Sequence, residues 1–173
     1  MKRSVCLATY NGAKYIEEQL SSILTELNTE DEVIIVDDKS SDNTIELIKR
    51  MADERIQIFE NNLNQGPNVT FEKSISLSTG DIIFMADQDD IWIKGRVKIM
   101  VEALNHAHLV SSHFDCFGNA NNSLEDFENS AEADKSTKYF RNIMDIFMGK
   151  QNYYGCAMAF RKELIPVILP FPP

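Results

Sequence analysis

Apolar positions along the chain fall into runs that alternate between two periods. "SVCLATY" (residues 4–10) is an apolar run of strand length, and "AKYIEEQLSSILTEL" (13–27) follows it with Ile16, Leu20, Ile23, Leu24 and Leu27 at helical spacing. "EVIIVDD" (32–38) is continuous and β-branched, the pattern of a strand covered on both faces. Ser40, Ser41 and Asp42 offer N-cap side chains to a helix over about 43–51. "RIQIFE" (55–60) predicts a third strand and "NNLNQGPN" (61–68) a loop, with Pro67 in the first turn of a helix that runs to Leu77. Thr79-Gly80 stops that helix, and "DIIFMA" (81–86) predicts a fourth strand. A helix over about 94–105 carries Val97, Met100, Val101 and Leu104 on one face, and "HLVSSHF" (108–114) predicts a fifth strand.

Strand–helix alternation at this spacing predicts a three-layer α/β/α domain around a mostly parallel sheet. Past Cys116 the pattern fades. "GNANNSLEDFENSAEADKST" is polar and predicts a flexible loop, "YFRNIMDIFMG" a short helix, and "CAMAFRKELI" one more strand entering a helix before "PVILPFPP". A length of 173 residues with 43% hydrophobic composition fits a single domain with a real core.

Charge narrows the function. Lys and Arg number 17 against 27 Asp and Glu, a net charge of -10. That argues against a nucleic-acid partner and against an electrostatic grip on anionic lipid. An anionic ligand would need a cation as intermediary. Cys6, Cys116 and Cys156 are far apart with no CxxC, which predicts buried reduced thiols and a cytosolic compartment. No basic-then-apolar signal opens the chain, and no apolar run reaches membrane-spanning length.

In an open α/β sheet, ligands bind beyond the carboxyl ends of the strands. The polar clusters predicted there are Thr9-Tyr10-Asn11-Gly12, Asp37-Asp38 and Asp87-Gln88-Asp89-Asp90. Asp87 and Asp89 are close enough to share a hard cation such as Mg2+ or Mn2+, which takes oxygen ligands and keeps positions open for water and phosphate. A lone pair of aspartates after a strand reads as solvated turn residues. Here the apolar strand before it and Ile91-Trp92 after it favour a site. Asp37-Asp38 reads equally as a turn or as an acceptor for a nucleobase N–H or ribose hydroxyl. Thr9 to Gly12 reads as a plain turn, or as a ring and a backbone amide set against a base or ribose. Neither GxGxxG nor GxxxxGK[ST] is present, and the spacing excludes an EF-hand. His106, His108 and His113 lack the spacing of a zinc site, and Trp92 reads as a packing residue.

Taken together and in order, "VCLATYNGAKYIEEQLSSIL", "EVIIVDDKSSDNT", "NNLNQGPNVTFEKSISLSTGDIIFMADQDDIW" and "GCAMAFRKELI" resemble the family 2 glycosyltransferases with the GT-A fold. They are most similar to the bacterial branch that contains rhamnosyl and related transferases of surface polysaccharide assembly. The resemblance runs from about Ser4 to the end of the chain. It implies a nucleotide-binding half over about 1–115 and an incomplete acceptor-side portion over about 116–173. It also implies that Thr9, Tyr10 and Asn11 line a nucleoside pocket and that Asp37 or Asp38 contacts base or ribose. Asn64, Gln65 and Gly66 match the family's loop that closes near the nucleotide. Asp87 and Asp89 match the DxD motif beside Gln88, with Asp89 on the metal and Asp87 on ribose or a metal-bound water. The implied reaction is inverting transfer from a UDP- or dTDP-sugar, with Mn2+ or Mg2+, to a saccharide or lipid-linked acceptor.

Two departures qualify the match. The branch's presumed base lies in a motif expected beyond Pro173, so the chain reads as an N-terminal portion, inactive or nearly so by itself. Ser112-His113 also stands where many members have Ser-Asp. The resemblance implies peripheral attachment at the inner face of the membrane, and the apolar residues of "PVILPFPP", if exposed, predict self-association. Competing readings are a nucleotidyltransferase, though "TYNGAKY" lacks its basic Gly-rich loop, and a catalytically silent nucleotide-binding module. A signalling receiver domain would put its acid pair after the first strand, not the second.

Overall fold

The computed structural model describes residues 1–112 and 155–171. The expected loop over 118–137, the helix over 139–149, Cys116, His113 and the end of the fifth strand lie outside them. In chain order the elements are β1 (Arg3–Thr9), α1 (Ile16–Glu26), β2 (Glu32–Asp37), α2 (Thr44–Arg50), β3 (Ile56–Glu60), α3 (Pro67–Leu77), β4 (Ile82–Ala86), α4 (Arg96–Ala103), β5 (Leu109–Ser111) and β6 (Met158–Arg161). A single turn and a short helix, Ile165–Ile168, follow β6.

The strands form one sheet in the order β3-β2-β1-β4-β6-β5. β1, β2, β3 and β4 are parallel, whereas β6 runs antiparallel between β4 and β5. Alternate side chains of β1 feed the two faces, as strand geometry requires. Val5 and Leu7 join a large core with Ile16, Leu20 and Ile23 of α1, Phe84, Trp92 and Met100. Cys6 joins the opposite layer with Ile75, Ile83 and Phe160. Burial pushes the Cys6 thiol up to about 12, so it packs as an inert apolar group.

Register aligns the strand ends. Thr9 pairs with Asp37, and Leu7 with Ala86, so β1, β2 and β4 release their chains at one edge. Successive parallel strands leave β1 in opposite directions here, and that switch point opens the crevice in which such sheets bind ligands.

The opposite edge is fastened by a buried acid. Glu32 accepts from Lys2 Nζ at 2.6 Å, Ser4 Oγ at 2.6 Å and the Thr79 backbone N–H at 2.7 Å. Burial alone would raise this carboxyl, but these donors outweigh it and hold it at about 2, below its ordinary 4.5. A lowered folded value contributes stability that is complete above the ordinary value and disappears as pH falls through about 2. Wild type is therefore expected to lose about 3 kcal/mol more than Glu32→Gln as pH falls across that window. Urea unfolding at a series of pH values measures it, and parallel curves for the two proteins would contradict it.

Candidate active site

The first corner of the crevice is the turn after β1. Thr9 Oγ1 donates to Gln88 Oε1 at 2.7 Å, the Tyr10 N–H donates to the same oxygen at 2.9 Å, and Gln88 Nε2 returns a bond to the Tyr10 carbonyl at 3.2 Å. Gln88 therefore ties the end of β4 to the end of β1. The tie needs the glycine at 12. A Cβ there would overlap Gln88 Oε1 and come within 2.9 Å of Thr9 Oγ1. Gly12→Ala is expected to weaken the fold by roughly 1–3 kcal/mol through overpacking and to displace Gln88. A thermal melt together with the exchange rate of the Tyr10 amide checks this. An unshifted melt would contradict it.

Asn11 and Asp37 brace one turn against another. Asn11 has φ +50°, its Oδ1 accepts from the Ser41 N–H at 2.8 Å, and its own N–H donates to Ser40 Oγ at 2.8 Å. Asp37 accepts from the Ser40 N–H at 2.8 Å and from the Ser40 hydroxyl. Neither side chain lines the cleft, and nor does Gln65.

Asp38 builds the second corner. One carboxylate oxygen accepts from Asn61 Nδ2 at 2.9 Å and from the Gln65 N–H at 2.9 Å. The other accepts from the Gly66 N–H at 2.8 Å. Burial would raise this acid, but these bonds prevail and bring it below the ordinary aspartate range. Lys73 Nζ in turn donates to Asn61 Oδ1 at 2.8 Å. Gly66, at φ +84°, is the left-handed residue through which the loop turns into α3. Asp38 thus spends its oxygens on the loop of Asn64, Gln65 and Gly66, fixing where that loop and the start of α3 stand.

The third corner is acidic. Carboxylate oxygens of Asp87 and Asp90 and the sulfur of Cys156, from the turn before β6, all lie within 4.8 Å of one another. Burial raises the Asp87 carboxyl above its ordinary value, the charges of Asp90 and Asp89 add to this, and the Cys156 thiol draws it partly back. Asp89 is exposed on the lip. Arg96 Nη2 donates to the Cys156 carbonyl at 2.6 Å and its guanidinium stacks 4.7 Å from the Trp92 ring, which pins this turn against the acids.

Between the corners lies a cleft of about 420 Å3, lined by Thr9, Tyr10, Asp38, Asn64, Gly66, Asp87, Gln88 and Asp89. That volume suits a small-molecule ligand. Pro67, Thr70 and Phe71 of α3 complete the wall. Sequence reasoning missed these three, because Phe71 in an amphipathic helix reads as core. It also missed Cys156, which is far from the acids in sequence.

A mostly parallel α/β sheet with an acidic cleft at its switch point is the architecture of the GT-A nucleotide-sugar transferases. The sequence model of Glycosyl transferase family 2 matches residues 4–169, and the chain belongs to that family. An uncharacterized glycosyltransferase of Nostoc sp. is 25% identical over 183 residues, which cover 100% of this chain and 55% of the relative. The dTDP-rhamnosyl transferase RfbG of Shigella flexneri is 34% identical over 121 residues, 62% of this chain and 40% of RfbG. Of solved structures, S. aureus TarS 1-349 in complex with UDP has a TM-score of 0.74 at 22% identity, covering 96% of this chain and 48% of that one. The mannosyltransferase PcManGT from Pyrobaculum calidifontis, in complex with GDP-Man and Mn2+, has a TM-score of 0.71 at 23% identity, covering 99% and 47%. The chain spans about half the length of the curated relatives it matches. Among the described residues, no helix is long and apolar enough to cross a membrane.

Proposed function

We propose that the cleft binds a nucleoside-diphosphate sugar, and that the protein transfers that sugar to a saccharide or lipid-linked acceptor in bacterial surface polysaccharide assembly. The observation that carries this reading is the convergence on one cleft of Tyr10 and Phe71, the loop anchored by Asp38, and the aspartates after β4. Aromatic faces suit a nucleobase, loop amide groups and Asn64 suit ribose or base, and the acids suit the diphosphate end. The relatives agree in kind: one is a dTDP-rhamnosyl transferase, and others are glucosyltransferases named for undecaprenol-linked acceptors.

The donor set fits a divalent cation. Burial first, and then the charges of Asp90 and Asp89, destabilise Asp87 as an anion, and a hard cation on these oxygens would offset both. Asp89 and Asp87 would hold it, with Asp90 and Cys156 alongside. When bound it would supply the positive charge that offsets a leaving diphosphate. Transfer with inversion forms the bond from the acceptor oxygen to the anomeric carbon as the bond from that carbon to the diphosphate breaks. The acceptor's proton passes to a carboxylate. Asp38 is occupied by its loop, and Asp87 and Asp89 would be occupied by the cation, so none of these three is the base in this reading.

Calorimetric titration of the chain with UDP, dTDP, GDP and ADP, each with Mn2+ and with EDTA, tests the binding half of the proposal. At least one diphosphate is expected to bind, and to bind more tightly with Mn2+. Heat-silent titrations throughout, from a folded chain, would remove the proposal.

A further inference from the structure

One face of α1 grips the acid loop by its backbone. Gln19, Ser22 and Glu26 lie at helical spacing, so they form a single ridge along the helix. Gln19 is fully buried, and α1 buries Ile16, Leu20 and Ile23 with it. A buried amide in that setting is costly unless it is bonded. Its Nε2 donates to the Asp87 carbonyl at 2.7 Å. The Ser22 hydroxyl donates to the Gln19 carbonyl at 2.7 Å, and its oxygen accepts from the Trp92 N–H at 2.9 Å. The Glu26 carboxylate accepts from the Gly95 N–H at 2.9 Å and from the Val97 N–H at 3.3 Å. The ridge therefore holds the segment from Asp87 to Val97 at its start, its middle and its end.

The chemistry of the grip is selective. Three aspartates crowded at one strand end repel each other, and something must fix the loop against that repulsion. A lysine or arginine in place of Gln19 would do so by pairing with the acids and cancelling the charge a cation needs. Gln19 is neutral and bonds only to main chain at Asp87, so it holds the loop and leaves the carboxylates charged. An apolar residue there would leave the Asp87 carbonyl without this donor.

We propose that Gln19, supported by Ser22 and Glu26, is a positioning residue that places Asp87 and Asp89 and thereby sets the affinity of the acid cluster for a divalent cation. This rests on the donor-binding reading above. The loss of a residue that orients metal ligands typically weakens metal affinity about 10–100-fold. Gln19→Leu is therefore expected to weaken Mn2+ binding at least about tenfold, as read by the EPR signal of free Mn2+ without nucleotide. UDP affinity in Mn2+ should fall in parallel, while any UDP affinity in EDTA stays unchanged, a split that general loosening of the fold would not give. Ser21→Ala, on the exposed side of α1, should behave as wild type. Mn2+ affinity equal to wild type in a folded Gln19→Leu variant overturns the positioning role. If that variant does not fold, Ser22→Ala carries the test: weaker Mn2+ binding supports the role and unchanged binding overturns it. A wild-type chain that binds no Mn2+, with or without UDP, fails the donor-binding reading instead.

Discussion

Asp38→Ala is expected to lower nucleoside-diphosphate affinity about a hundredfold, a loss of roughly 2.7 kcal/mol. The carboxylate is the common acceptor for the N–H groups of Gln65 and Gly66 and for Asn61 Nδ2. Hydrogen bonds to a charged acceptor are worth about 1.5–3 kcal/mol each, and donors left unpaired cost more than the bond was worth. Without Asp38 the loop would keep the Thr70 hydroxyl's bond to the Gly66 carbonyl but lose these ties, and binding would have to restore its place. Asp38→Asn keeps one acceptor oxygen and should lose less. Because the folded value of Asp38 lies below the ordinary range, the anchor holds through mild acid. It is lost only as pH falls through that lowered value. Calorimetry with UDP and Mn2+, alongside exchange rates of the Gln65 and Gly66 amide groups, measures both effects. Unchanged affinity together with fast-exchanging loop amide groups would show that the loop plays no part in binding.

The second large effect concerns the cation. A chain of net charge -10 that presents Asp87 and Asp89 to its cleft, with Asp90 beside Asp87, repels a diphosphate unless positive charge intervenes. Two unit charges about 4 Å apart at a protein surface interact by about 4 kcal/mol. Removing Mn2+ with a chelator is therefore expected to weaken diphosphate binding at least about a hundredfold. Asp89→Asn should remove most of the metal dependence and leave the melting temperature within a few degrees of wild type, since Asp89 is exposed. Equal affinity in wild type and Asp89→Asn, with and without metal, would show that the acids after β4 do not hold the cation.

Much of this was visible in the runs of apolar residues. "EVIIVDD" became β2, buried along its length, and Pro67 opened α3 as its fixed φ suits. Boundaries moved where backbone conformation intervened. The helix predicted from Ala13 begins at Ile16, because the N–H groups of Tyr15 and Ile16 first close a turn on the Gly12 carbonyl. The helix predicted from Lys94 begins at Arg96, because Gly95 sits at φ +90°. The insertion of β6 between β4 and β5 was not legible, since local periodicity says nothing about which strand pairs with which. At the site, sequence pattern brought the three polar clusters to one edge. It could not tell that Asp38 is saturated by the loop, that Asp37 and Asn11 serve neighbouring turns, or that Gln88 joins two strands. Those are choices among hydrogen-bond partners that only the folded chain presents. Gln19 was the least legible of all, because one polar residue on an amphipathic helix carries no mark of being buried.

The most direct measurement is amide hydrogen exchange of the chain, free and saturated with UDP, dTDP or GDP in the presence of Mn2+. Binding in the cleft predicts slowed exchange in three separated segments at once: Thr9 to Gly12, Asn64 to Phe71, and Ala86 to Asp90. These segments meet only at the carboxyl edge of the sheet. Protection confined to other segments, or no protection by any of these diphosphates in a folded chain, would contradict binding in this cleft.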